Sequence, residues 1–154
     1  MSKGTRTPLW VAEQIARELS EKLGDLPHQV CGSIRRGTKT EVGDLDLCVS
    51  DIAEAVKRLG VQITSGGSKR VEFEFRGLSS HMYVASPEEW GAMLLFLTGN
   101  AFFNRITRAR ARDRGLKLNQ YGLWDGEVRI AGHTEDEIFD ALNMRRVPPS
   151  EREK

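Results

Sequence analysis

The sequence predicts an α+β protein in two parts, a mixed-sheet unit over residues 1–86 and a smaller, helix-rich α+β unit over residues 87–154. Three observations carry that expectation. Apolar residues recur at helical spacing near the N-terminus, and the pattern then changes to strand alternation as far as residue 84. After Ser86 two capped helical stretches follow each other directly, before a last hairpin and helix.

Taken in order, Thr7-Pro8 is expected to cap a helix whose apolar positions are Ala12, Ile15, Leu19 and Leu23 and which stops at Gly24. Strands are expected over residues 28–34 and 44–50, joined by a Gly-rich, basic connection. In the second of these, Leu45, Leu47 and Val49 alternate with Asp44, Asp46 and Cys48, so one face is core and the other carries both acids. A helix over 52–59 closes at Gly60, a strand is expected over 61–64, and a hairpin over 71–75 and 78–84 turns at Arg76-Gly77. Ser86, Pro87 and Glu89 form a capping box, Asn100 caps a basic helix ending at Gly115, a hairpin turns at Asp125-Gly126, and Thr134 with Glu137 opens the last helix.

Composition narrows the class. At 39% hydrophobic and 29% charged residues the chain reads as globular, and it has neither an apolar run of membrane-spanning length nor a secretory signal pattern. The expected location is the cytosol, or the nucleus or viral factory of a host cell if the source is viral. A net charge of +1 does not mark a nucleic-acid binder, but Arg105, Arg108, Arg110, Arg112, Arg114 and Lys117 face a single acid, Asp113, in residues 101–120. Cys31 and Cys48 lie in apolar runs with no CxxC or Cys/His pairing around them, which reads as reduced, buried thiols. Trp10, Trp90 and Trp124 are expected in the core, and His28 and His133 read as ordinary residues at a strand start and a helix cap.

The segment CGSIRRGTKTEVGDLDL, residues 31–47, is where the chemistry concentrates. Two residues apart on a strand, Asp44 and Asp46 project from the same face and can share divalent cations. Upstream, Gly32 and Ser33 permit a tight turn whose N–H groups and hydroxyl approach a triphosphate, and Arg36 can neutralise its charge. A D-x-D alone is common on exposed strands. Its combination with G-S-x-R-R-G a few residues before is far more specific for nucleotidyl transfer.

That stretch resembles the palm signature of the family X DNA polymerases. The resemblance continues through PEEWGAMLLFLTGNAFFNRITRARARDRGLKLNQYGLWDG, residues 87–126, which looks like the family's thumb, and TEDEIFDALNMRRVPP, residues 134–149, which resembles its closing helix and tail. About residues 7–150 are covered. It implies a catalytic palm over 1–86 and a nucleotide-selecting thumb over 87–154. It further implies that Ser33 and Arg36 contact the triphosphate, with Gly32 and Gly43 leaving room beside the acids. Phe96, Leu97 and Gly99 would lie under the sugar, and Asn104 and Arg108 would face the minor groove. Arg105, Arg112 and Lys117 would contact DNA, with Asn119 and Tyr121 supporting the closed thumb. The implied activity is DNA-directed DNA synthesis, as short gap filling in repair, by two-metal transfer with Mg²⁺ or Mn²⁺. The implied partners are deoxynucleoside triphosphates and primer-template or gapped DNA, met by a monomer.

One departure matters most. The family's third aspartate, on a later palm strand, is His81 here. Histidine can act as a general base, and it suits Mn²⁺ better than Mg²⁺ as a ligand. Counting outward from a two-residue turn at Arg76-Gly77 puts Glu72 opposite His81, where it would orient the imidazole or replace the missing carboxylate. Ser79 stands where many relatives keep an arginine, and Phe96-Leu97 and Ala101 depart from the usual residues near sugar and base. No segment resembles the family's lyase domain or helix-hairpin-helix clamp, so lyase activity is not expected. The competing readings are an attenuated DNA- or nucleotide-binding relative and a nucleotidyltransferase with a non-DNA acceptor.

Overall fold

A computed structural model gives the structure of the chain and describes residues 6–153. Two compact units divide between Val84 and Ala85.

In the first unit, β1 (Thr7–Pro8) pairs antiparallel with β3 (Glu41–Val42) and leads directly into α1 (Leu9–Leu23). Thr7 is therefore in a bridge and does not cap the helix, whose N-cap position is Pro8, without a side-chain bond. The buried stripe of α1 is Ala12, Ala16, Leu19 and Leu23, so Ile15 sits at its margin. Trp10 lies off that stripe and is 64% exposed, against the expectation of a core residue.

The second strand, β2 (His28–Cys31), ends three residues earlier than the alternation suggests. Gly32 takes a left-handed φ of 65° and begins a single helical turn, α2 (Gly32–Arg36), closed by Gly37. β4 (Asp44–Val49) buries Leu45, Leu47 and Val49 completely and turns Asp44 and Asp46 to the other face. α3 (Ile52–Leu59) is capped by the Asp51 carboxylate, which accepts from Glu54 N at 3.0 Å, and stops at Gly60. The strand expected over 61–64 is not formed. Gln62, Ile63 and Thr64 are exposed, too little buried face to hold a ladder, and pairing begins only at β5 (Ser65–Gly66). β6 (Arg70–Phe75) and β7 (Leu78–Val84) form the expected hairpin.

The resulting sheet has the order β2-β4-β7-β6-β5, with β4 and β7 parallel and the other pairs antiparallel. A parallel neighbour requires a crossover, and the path from β4 to β7 contains α3 and the β5–β6 segment. The core side of the sheet packs Leu45, Leu47, Phe73, Leu78 and Met82 against α1 and α3. The opposite side carries the acids.

The second unit opens with a tight turn, Pro87–Glu89, held by the reciprocal Ser86–Glu89 capping box. α4 (Trp90–Thr98) is apolar all round and largely buried. Gly91 is required there, since a Cβ would lie 2.2 Å from the Thr134 carbonyl carbon. α5 (Ala101–Asp113) begins at Asn100, whose side chain accepts from Phe103 N at 2.9 Å. β8 (Lys117–Asn119), β9 (Gly122–Asp125) and β10 (Val128–Ala131) form an antiparallel sheet, and α6 (Glu135–Ala141) is capped by Thr134. Asp125 pairs with Val128, so the turn is Gly126-Glu127, one residue beyond the expected place. Its core joins Leu95, Phe103, Leu123, Ile138, Phe139 and Leu142.

Candidate active site

Three strands bring separate parts of the sequence into rows on the polar face of the first unit's sheet. Asp46 on β4 pairs with His81 on β7, and His81 pairs with Glu72 on β6. The adjacent row is Asp44, Ser79 and Glu74. The hairpin has no bulge, so Glu72 lies opposite His81 as the count from the turn requires.

The side chains divide differently. His81 Nδ1 lies 3.3 Å from Asp46 Oδ1 and donates a hydrogen bond to it. Glu72 is engaged by Arg70 Nη1 at 2.9 Å, so the carboxylate expected to serve His81 has a cation of its own. Arg70 also donates through Nε to the Tyr83 hydroxyl at 3.1 Å, and its guanidinium stands 5.5 Å from the centre of the Tyr83 ring.

Charge on this face is unevenly balanced. Burial raises the Asp44 carboxyl above its ordinary range, and the neighbouring Asp46 charge raises it further, while His81 and Arg6 act in the opposite direction. The hydrogen bond to Asp46 raises the His81 imidazole against its partial burial, which favours its protonated form.

Arg6 was not indicated by any periodicity or motif. The β1–β3 bridge holds it beside the acids: Nη2 donates to Glu41 O at 3.2 Å, and Nη1 lies 2.9 Å from where a Cβ on Gly43 would stand. Gly32 is crowded in the same way, its would-be Cβ only 2.6 Å from Asp46 Oδ2. The turn carrying Ser33 and Arg36 thus begins directly against Asp46. Ser33 and Arg36 are both half-buried on α2.

Among the described residues no group of three or more His, Cys, Asp or Glu is arranged to hold a metal ion. Of the expected trio, Asp44 and Asp46 share a strand face and the His81 imidazole is bonded to Asp46. The pair itself fits a divalent cation. It supplies hard oxygen donors on one face, and a bound cation would offset both the burial and the neighbouring Asp46 charge that raise Asp44.

In the second unit, Phe96 and Leu97 are half-buried at the end of α4, and Gly99 follows with φ 63°. Asn104 Nδ2 donates to Phe96 O at 2.9 Å, and the Arg108 guanidinium lies 5.4 Å from the Phe96 ring centre. Arg105, Arg112 and Lys117 are exposed, Arg105 lying over the exposed Phe102 ring at 5.7 Å. Arg110 is occupied otherwise, donating to Leu142 O at 2.7 Å and Asn143 O at 2.6 Å beyond the end of α6. Asn119 Oδ1 accepts from Tyr121 N at 2.9 Å and Trp124 Nε1 at 3.1 Å, which fixes the β8–β9 turn carrying Tyr121.

The DNA polymerase beta thumb family matches residues 93–153. The DNA polymerase/3'-5' exonuclease PolX of Bacillus subtilis is 28% identical across 96% of this chain, and human DNA-directed DNA/RNA polymerase mu is 31% identical across 56% of it. The chain spans only 29% and 18% of those two proteins. The fold is that of Leishmania infantum polymerase beta in its ternary P/T complex, with a TM-score of 0.85 at 19% identity, covering 98% of this chain and 78% of that one. In its thumb segment, its sequence and its fold, the chain is similar to the family X DNA polymerases.

Proposed function

We propose that the chain is a DNA-directed DNA polymerase of the family X type, adding deoxynucleotides to a primer 3′ end and suited to short gaps in repair. The palm function is assigned to the first unit and the thumb function to the second. The observation that carries the reading is the acid pair on β4, whose Asp46 lies directly against the start of the Gly32–Arg36 turn. Carboxylates for cations and a basic turn for a triphosphate adjoin each other there.

Asp44 and Asp46 would hold the divalent cations, Mg²⁺ or Mn²⁺. When bound, such ions stabilise the attacking and leaving oxygens of an in-line phosphoryl displacement. Ser33 and Arg36 bind the triphosphate oxygens, and Gly32 and Gly43 keep side chains out of the space beside the acids. His81 orients Asp46 through Nδ1–H. Asn104, already ordered by Phe96 O, and Arg108, stacked on Phe96, test the nascent pair from the minor groove. Arg105, Arg112 and Lys117 contact the DNA backbone.

Primer extension with Mg²⁺ and with Mn²⁺ tests this. Asp46→Ala is expected to lower the incorporation rate by about two to three orders of magnitude, the usual worth of one preorganised electrostatic contact. Equal rates in the two proteins would overturn the assignment. A second reading, an attenuated relative that binds DNA and nucleotide, is favoured by the imidazole at position 81. His81→Asp separates the two: a large gain in rate means that the native site is attenuated, and a loss means that the histidine is a working part.

A further inference from the structure

We propose that Arg70, hydrogen-bonded to the Tyr83 hydroxyl, binds the primer-strand phosphate next to the reacting 3′ oxygen. The inference rests on the polymerase reading of the acid pair and adds to it the direction from which the primer arrives.

The polar face of the sheet has a linear order. β2 runs antiparallel to β4 with Cys31 opposite Asp46, so the chain leaving β2 into the Gly32–Arg36 turn moves toward the Asp44 end of β4. β7 runs parallel to β4, placing Ser79 beside Asp44, His81 beside Asp46 and Tyr83 beside Cys48. Arg70 is the β6 partner of Tyr83. From the phosphate cradle outward, the face therefore reads Asp44, then Asp46 with His81, then Tyr83 with Arg70. Each step is two residues of strand, about 6.7 Å.

In-line displacement sets the attacking oxygen opposite the leaving pyrophosphate. With the triphosphate on the cradle side of the acids, the primer 3′ oxygen lies on the other side, and the strand behind it continues toward Tyr83 and Arg70. One strand step beyond His81 is the scale of one nucleotide. A cation stands at that place.

Arg70 is also prepared for the contact. Its side chain is 41% exposed, while its Nε bond to the Tyr83 hydroxyl and its Nη1 pair with Glu72 fix the guanidinium plane. The Nη2 donors have no protein partner among the described residues. A planar cation with anchored and spare donors suits a phosphate oxygen. The relatives' arginine position at Ser79 is two rows nearer the cradle, so the cation here serves a different row.

The test is equilibrium binding of a primer-template by fluorescence anisotropy, using a primer with its natural 3′-terminal linkage and one with a neutral methylphosphonate there. Arg70→Ala is expected to weaken binding of the natural primer about tenfold and to lower the salt slope by about one. The neutral linkage should weaken the wild type and leave Arg70→Ala unaffected. Arg70→Gln, which keeps a donor toward Tyr83 and loses the charge, is run beside it so that a folding defect in the alanine variant does not decide the outcome. A wild-type affinity indifferent to the neutral linkage, or an equal loss in wild type and both variants, overturns the proposal. Binding needs no turnover, so this result is separate from failure of the polymerase reading, which would appear as equal incorporation by wild type and Asp46→Ala.

Discussion

Cys48 shares a strand face with Asp44 and Asp46, yet it has no exposed surface, and burial pushes its thiol up to about 12. The native state therefore keeps a proton that the unfolded chain begins to release near pH 9, so this residue's contribution to stability is complete below pH 9 and is lost as pH rises toward 12. Urea titrations at pH 7 and pH 10.5 should show a smaller decline for Cys48→Ala than for the wild type. At pH 8 a thiol reagent should find no reactive group in the folded protein and both cysteines after denaturation. Residues of this kind are legible in a sequence because their type and strand period agree. Asp44 and Asp46 were legible for the same reason, their period of two deciding the face before any partner was known. Arg6 was not, since its place depends on a two-residue bridge to Glu41 and Val42 that has no periodic signature. Trp10 misleads by type: its bulk suggests burial, but the helical stripe through Ala12, Ala16 and Leu19 leaves it outside.

Capping chemistry made the helices of the second unit readable, since Ser86 with Glu89, Asn100 and Thr134 each announce a first turn. Short elements were not readable. Two-residue strands such as β1, β3 and β5 are too brief for a period, and α2 exists because Gly32 reaches a φ that its neighbours avoid. What holds the end of the chain in place was equally hidden. Arg152 is 2% exposed, bonds Glu135 at 2.7 Å and Val147 O at 2.9 Å, and lies beside the edge-packed Phe103 and Phe139 rings, 5.8 and 5.3 Å from their centres. Its own carbonyl accepts from Asn100 N at 2.9 Å, which ties the tail to the residue that caps α5. Arg152→Ala removes a buried cation together with its bond to Glu135 and is expected to cost about 3–5 kcal/mol. Arg152→Met, which keeps an apolar stem beside the two rings, should cost less if Glu135→Gln accompanies it. Denaturant midpoints measure both.

For the molecule as a whole, charge is a matter of placement. The net value of +1 says little, while Arg105, Arg112 and Lys117 stand exposed on or just after one helix with Asp113 as their near acid. Affinity for primer-template is expected to fall steeply with salt, and Arg105→Ala or Arg112→Ala should each reduce the slope of log K against log salt by about one. A slope unchanged in both variants would remove α5 from the DNA-contacting surface. The division into two units was legible because strand alternation gives way to capped helices near Ser86. The sheet order was not, because a period fixes which face a strand turns inward but not which strand lies beside it. The parallel pairing of β4 with β7 has a temporal consequence. Hairpins and helices close early because their ends are near in sequence, whereas Asp46 meets His81 only after the intervening helix and strands have been laid down. The row of residues on which nucleotidyl transfer would depend is thus expected among the last parts of its unit to come together as the chain folds, which pulse-labelled hydrogen exchange during refolding would check.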